Sequence, residues 1–383
     1  MSNNVSPHID VYVSLPTTVP SDSTKLPNLA PENWTWKHLL RCPVSKLAEF
    51  TLSAPPYMWL RYSTYAILGA EGRLSTQKDL LDEPIYTKEL PLESKTLYYH
   101  YENANEQARL FPLESDLMNP RSMTSQVTQR FPSFKNDVLD RDNGRCVVTD
   151  SFYSDASHLI AHSKGDEYIR ALTERRSRRS TDVVPSIDHV RNGLTLYPST
   201  HSSLARAHAA FMKVPNFAIQ LADIDTPLPD NNADAYIAHA FVPSINIPFG
   251  ARSPGSLLRI PQDRSQWPPD ILFDALYGGV VLQQFGVCKT EDLDKPWEHV
   301  YYPNGKIASQ EFQKILRDAE AEDEDELKEE GYQLDPNDPL DYMTFILPYS
   351  AMSPESLQAS RRAAEEKRQQ QLHGRVSEWA SHV

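Results

Sequence analysis

Three strings lie close together in the middle of the chain: RDNGRCVVTD (141–150), ASHLIAH (156–162) and RNGLTLYPSTHSSL (191–204). CVVTD reads as a short strand, and 151–162 returns as a second strand carrying SHLIAH. The Asn192-Gly193 turn then leads through a further strand into a helix that starts near Ser199 or Thr200. This order predicts antiparallel pairing of Cys146–Val148 with Ser157–Ile160. It places His158 at a strand end and His201 at a helix start. Just upstream, FPSFKNDVLD (131–140) sets Phe134, Val138 and Leu139 on one helical face and runs into the glycine turn DRDNG.

Outward from this block the signals are plainer. Ile9, Val11, Val13 and Leu15 alternate with polar residues, as a half-buried strand does. Residues 36–50 suggest a short helix interrupted at Pro43, YMWLRYSTYAIL (57–68) followed by AEGRL suggests strand–turn–strand, and TLYYHYEN (96–103) another strand. NFAIQLADI (216–224) and AYIAHAFV (235–242) read as strands, with SINIPFG (244–250) as a candidate for one more. PPDILFDALYGGVVLQQFG (268–286) starts with proline and spaces Leu272, Leu276 and Leu282 as a buried helix does. Acidic residues crowd 317–330, within a second helical pattern at 309–331, and the stretch from Ser353 reads as a solvated terminal helix. The expected division is a β-rich region at 1–110, a central domain at 131–225, a mixed α/β elaboration at 226–350 and a tail at 351–383.

Composition narrows the class. The 383 residues are 40% apolar and 23% charged, which allows a sizeable core. Thirty prolines against 13 glycines favour turns and extended segments over long helices. The net charge of −14 excludes a uniformly basic nucleic-acid coat, but not a local basic site. Residues 131–220 hold twelve basic against ten acidic side chains, so positive charge is concentrated there. Three scattered cysteines, Cys42, Cys146 and Cys288, exclude a disulfide scaffold or a Cys-rich zinc module. No secretory signal and no apolar run of membrane-spanning length is visible, so an intracellular protein, nuclear or cytoplasmic, is expected.

Taken in order, RDNGRCVVTD, ASHLIAH and RNGLTLYPSTHSSL, with GDEYI (165–169) and AFMKVPNF (210–217), resemble the HNH nuclease domain in its fungal form. The resemblance covers less than a quarter of the chain. It implies an α+β protein with a ββα-metal core, two antiparallel strands and a helix clasping one divalent ion. That core would be embedded between the β-rich N-terminal region and the partly helical C-terminal one. By position, it makes His158 the general base for the attacking water and Asn192 the brace that orients the His158 ring through its amide. His201 becomes a metal ligand. Mg²⁺ or Mn²⁺ is the implied ion, with Zn²⁺ or Ni²⁺ as other choices. Nucleic acid is the implied partner, DNA ahead of RNA, with no membrane.

Two positions depart from the family pattern. Ser157 stands where a ligating Asp or His often precedes the base, and Ala205 stands four residues after His201, where a further ligand is often found. Ser157 itself stays a candidate ligand, though a hydroxyl is a poor one, and Asp155, Asp188 and His208 are the candidate substitutes, with His208 seven residues beyond His201 on one helical face. A competing expectation is therefore a catalytically impaired HNH-fold module that binds nucleic acid or protein. The dense basic cluster Arg175, Arg176, Arg178 and Arg179, with Arg191, supplies candidate phosphate contacts; its bland reading is a solvated loop. Asn192-Gly193 has a bland reading too, as a common tight-turn dipeptide, and His162 and His189 read as structural.

Overall fold

The computed structural model describes residues 6–16, 34–50, 54–79, 86, 89–115, 117–118, 133–152, 154–224, 234–242, 256–288, 290–293 and 295–303. All fall within the compact unit Met1–Phe312. The expectations for 244–250, 309–331 and the stretch from Ser353 lie outside these residues.

Strand β1 (His8–Pro16) buries Ile9, Val11, Val13 and Leu15 completely, as their alternation predicts. It sits inside a four-stranded sheet of order β2-β1-β4-β3, with β2 at Trp34–Pro43, β3 at Gly72–Ser75 and β4 at Lys95–Tyr101. β1 runs antiparallel to β2 and parallel to β4. The helix expected over 36–50 is thus mostly strand, and only α1 (Val44–Ala48), beyond Pro43, is helical. Cross-strand bonding to β1 outweighs the local pattern here.

The strand–turn–strand expected at 57–68 is overturned. Pro56–Leu68 is helix α2, with proline in its first turn and Gly69 at its C-cap in the left-handed region at φ 75°. Nine of its residues are buried, on nearly every side. A helix enclosed all round shows no 3.6-residue period, so its aromatic and β-branched composition imitates a strand.

After α3 (Ala104–Ala108) and α4 (Ser133–Arg141) comes the central block. Cys146–Asp150 is a turn rather than a strand: Asp150 N–H bonds to Cys146 O at 2.9 Å, and the Val148 and Thr149 N–H groups point at Cys146 Sγ. β5 (Asp155–His158) pairs instead with β6 (Gly193–Leu196), antiparallel, with His158 opposite Gly193. The turn joins this pair at its margin through Val147 N–H to Thr195 O, 2.9 Å. Residues 165–176 form helix α5 (Gly165–Arg176).

Helix α6 (Pro198–Ala205) follows β6 and begins within two residues of the predicted start. β7 (Ala209–Val214) and β8 (Ala235–Ala240) make a third sheet. The strand expected at 216–224 is a loop and a short 3₁₀ turn, because the Asn216 side chain captures the N–H groups of Ala218 and Ile219, both at 2.9 Å. Helix α7 (Asp270–Phe285) lies where the leucine spacing puts it. The architecture is α+β with small sheets, and one hydrophobic core runs from Ile9 to Tyr302. Among the described residues no helix is long and apolar enough to cross a membrane.

Candidate functional site

β5, β6 and α6 deliver the two key histidines to one cavity of about 700 Å³. His158 closes β5, and His201 lies in the first half of α6, its N–H bonded to Tyr197 O at 3.0 Å. Asp155, Ser157, His162, Asp188 and Ala205 line the same space. The convergence expected of His158 and His201 is present.

The His158 ring is held on two sides. Its Nε2 meets the Asp188 carboxylate at 2.9 Å, and Asp188 is only 3% exposed. Phe134 of α4 stacks on it with centroids 3.9 Å apart and planes 8° from parallel. The other Asp188 oxygen lies 3.6 Å from His162 Nε2. An acceptor at Nε2 favours the tautomer protonated there, which leaves Nδ1 as the basic nitrogen.

Phe134 reaches this position because residue 193 is glycine. A Cβ at Gly193 would stand 2.5 Å from Val138 and 2.8 Å from Phe134. A latch on the far side of β6 fixes the same junction. Buried Asp142 accepts from Arg141 at 2.7 Å and from Thr195 N–H at 2.8 Å, while Arg141 also donates to Gly193 O and Val190 O.

Asn192 is fully buried, but it does not orient the His158 ring as expected. Its amide nitrogen donates to Ile160 O at 3.0 Å and Ile187 O at 2.8 Å, and its Oδ1 accepts from Ile160 N–H at 3.0 Å. It ties the exit of β5 to the loop that carries Asp188. Its influence on His158 is exerted through the backbone, and the ring itself belongs to Asp188 and Phe134.

His201 opens onto the cavity, while the walls around it withdraw bulk water. Burial lowers its pKa, the Asp155 carboxylate opposes that shift, and His158 adds to it. Asp155 pairs with Lys135 at 3.1 Å, with 58% and 61% of the two side chains exposed, so this contact is weak and readily exchanged. Ser157 is buried and Ala205 offers no donor. His208 is not among the cavity-lining residues: α6 ends at Ala205 and Ala207 turns the chain with φ 54°, so the shared helical face does not exist.

None of the five candidate arginines lines the cavity. Arg176 is a correction to the phosphate-contact expectation. Its buried guanidinium donates to Phe111 O (2.9 Å), beyond α3, and to Ala66 O (2.7 Å) and Ile67 O in the last turn of α2. Arg178 pairs with Glu71 and Glu106, and Arg179 with Asp182. Arg191 donates to Val183 O, and Arg175 is exposed.

Asp188, Phe134, His162 and Lys135 were not picked out from sequence in the places they occupy. Asp188 was weighed only as a metal ligand. The one available signal for His162 is its spacing in HLIAH, four residues after His158.

Residues 146–212 match the family model described as HNH endonuclease. No curated protein and no solved structure matches the chain. HNH domains generally use a divalent metal ion, and the donors present can be tested against one. Among the described residues no group of three His, Cys, Asp or Glu side chains is placed to hold a metal. Two donors do suit a hard ion that keeps its waters: the Asp155 carboxylate and a His201 ring biased by burial toward its neutral, ligating form. Both side chains line the one cavity, so the donor types present fit such an ion.

Proposed function

We propose that the chain is a metal-dependent HNH-type endonuclease that hydrolyses phosphodiester bonds, DNA ahead of RNA. The observation that carries this reading is the Asp188–His158 pair facing the His201 cavity within the matched segment. His158 Nδ1 takes the proton of the attacking water, and the Asp188 carboxylate fixes the tautomer and stabilises the imidazolium that results. His201 and Asp155 hold the ion, Mg²⁺ or Mn²⁺ by the oxygen-rich, water-retaining character of the set. When bound, that ion polarises the phosphate and offsets charge on the leaving oxygen. Asn192 keeps the β5 exit and the Asp188 loop in register. Arg175, exposed and outside the carboxylate pairs that engage the equally exposed Arg178 and Arg179, remains the first candidate phosphate contact among the five.

A second reading, a nuclease fold that has kept binding and shed catalysis, is favoured by Ser157 and Ala205 at two family ligand positions. Strand-nicking assays of the full chain across Mg²⁺, Mn²⁺, Zn²⁺ and Ni²⁺ separate the two. Metal-dependent nicking abolished in His158→Ala, with oligonucleotide binding retained, supports the enzyme. Binding without nicking under every ion supports the relic.

A further inference from the structure

The cavity that holds His158 is larger and more apolar than hydrolysis of a phosphodiester requires. Beside the polar group lie Leu117, Met118, Leu159, Leu204 and Leu276. Three of these five, Leu117, Met118 and Leu276, come from outside the matched segment 146–212. The chamber is therefore built by this chain's own additions to the central block. Its volume of about 700 Å³ falls within the range of small-ligand pockets, about 300–1,000 Å³. A flat heterocycle with polar edges suits such a space, because apolar walls accept its faces and the polar end meets the phosphate attached to it. Charge points the same way. A duplex is gripped through many phosphates by free cations, yet none of the five candidate arginines lines the chamber: Arg176 and Arg191 are turned to internal carbonyls, and the exposed Arg178 and Arg179 are engaged by carboxylates.

We infer that this chamber receives one unstacked nucleobase next to the phosphate at His158, so that the substrate is single-stranded nucleic acid rather than duplex. The inference rests on the hydrolase reading for its placement of the phosphate. The base enters between the leucine wall and the polar group, and its removal from a stack costs least where no partner strand holds it.

The test uses the full chain with three end-labelled oligonucleotides: a single strand, the same strand with one abasic position, and the duplex. Binding is read by fluorescence polarisation and cleavage by gel. Met118→Trp and Ala205→Trp fill the chamber from two different segments, and thermal melts check that each variant is folded. The intact single strand is expected to bind about tenfold or more tightly than the duplex. Both filled variants are expected to reduce it to the level of the abasic strand. Equal, His158-dependent cleavage of all three substrates overturns the chamber and leaves the hydrolase reading standing. Base-dependent binding that both variants abolish, without cleavage under Mg²⁺ or Mn²⁺, supports the chamber and overturns the hydrolase reading. Unchanged binding in both folded variants overturns the chamber alone.

Discussion

Replacing Asp188 with asparagine changes one charge and almost no volume. The Asn amide group can donate to His158 Nε2 from the position where the carboxylate now accepts at 2.9 Å. The ring then carries its proton on Nδ1, and the nitrogen meant to accept from water is blocked. Phe134 still stacks on the ring, so its position is kept while its tautomer is reversed. The loss should approach that of a missing general base, about 10²–10⁴ in rate. At about 1.36 kcal/mol per decade this adds roughly 2.7–5.4 kcal/mol to the barrier. Single-turnover cleavage at saturating Mn²⁺ reads the chemical step, and polarisation of a labelled oligonucleotide reads binding, which should be unaltered. In a His158→Ala background the same substitution should cost nothing more, since both changes remove one function. An Asp188→Asn enzyme with an unchanged single-turnover rate would refute the assignment of Asp188, and full additivity with His158→Ala would refute the shared role.

Three further expectations follow from other parts of the site and core. Arg176→Met takes the side-chain donor from Phe111 O and Ala66 O, while Ile67 O keeps the Leu113 N–H at 2.8 Å, and should destabilise the fold by at least about 2 kcal/mol in chemical denaturation, whereas exposed Arg175→Ala should stay within about 0.5 kcal/mol; unchanged stability in Arg176→Met would contradict the carbonyl cage. Asp155→Asn and His201→Ala should each weaken Mn²⁺ binding at least about tenfold by calorimetry, and wild-type affinity in both would remove them as ligands. His239, fully buried against the Tyr277 hydroxyl, has its pKa pushed down by burial from 6.5 to about 3. The unfolded chain therefore binds a proton that the native ring refuses, so stability falls with pH below about 6.5, by up to about 1.36 kcal/mol per unit, until about 3; His239→Phe should flatten the denaturation midpoint against pH by one proton's worth, and an unaltered slope would count against the buried neutral ring.

What the residue pattern revealed depended on how local the causes were. β1, β4 and α4 were legible because each has one buried face with the period of its own backbone, and α7, buried all along 271–282, was legible from its leading proline and the spacing of its leucines. α2 was not, since burial on nearly every side erases the period, although Pro55-Pro56 at one end and Gly69 at the other marked a helix. β2 was read as helix because its identity is decided by pairing with β1. In the site, His158 and His201 were singled out by the HNH resemblance that the order and spacing of the three strings carry. Asp188 and Phe134 were missed as partners of the ring because they reach it from 30 and 24 residues away in sequence, through a loop and a helix whose approach no spacing encodes. The arginine cluster misled for a related reason. Sequence counts charges, but only packing decides that Arg176 faces carbonyl oxygens inside the protein.

The Arg141–Asp142 latch places a boundary on what may be separated from what. The matched segment begins at residue 146, yet the strand opposite His158 is pinned by a carboxylate at 142, and the His158 ring lies against a phenyl ring at 134. Cut at its recognisable edges, the segment would lose the pieces that fix its geometry, and a transplant of it into another scaffold would arrive with its histidines unaligned. Its heritable unit is wider than its signature. Drift in residues 133–145, outside the matched segment, would disable the site as surely as loss of His158.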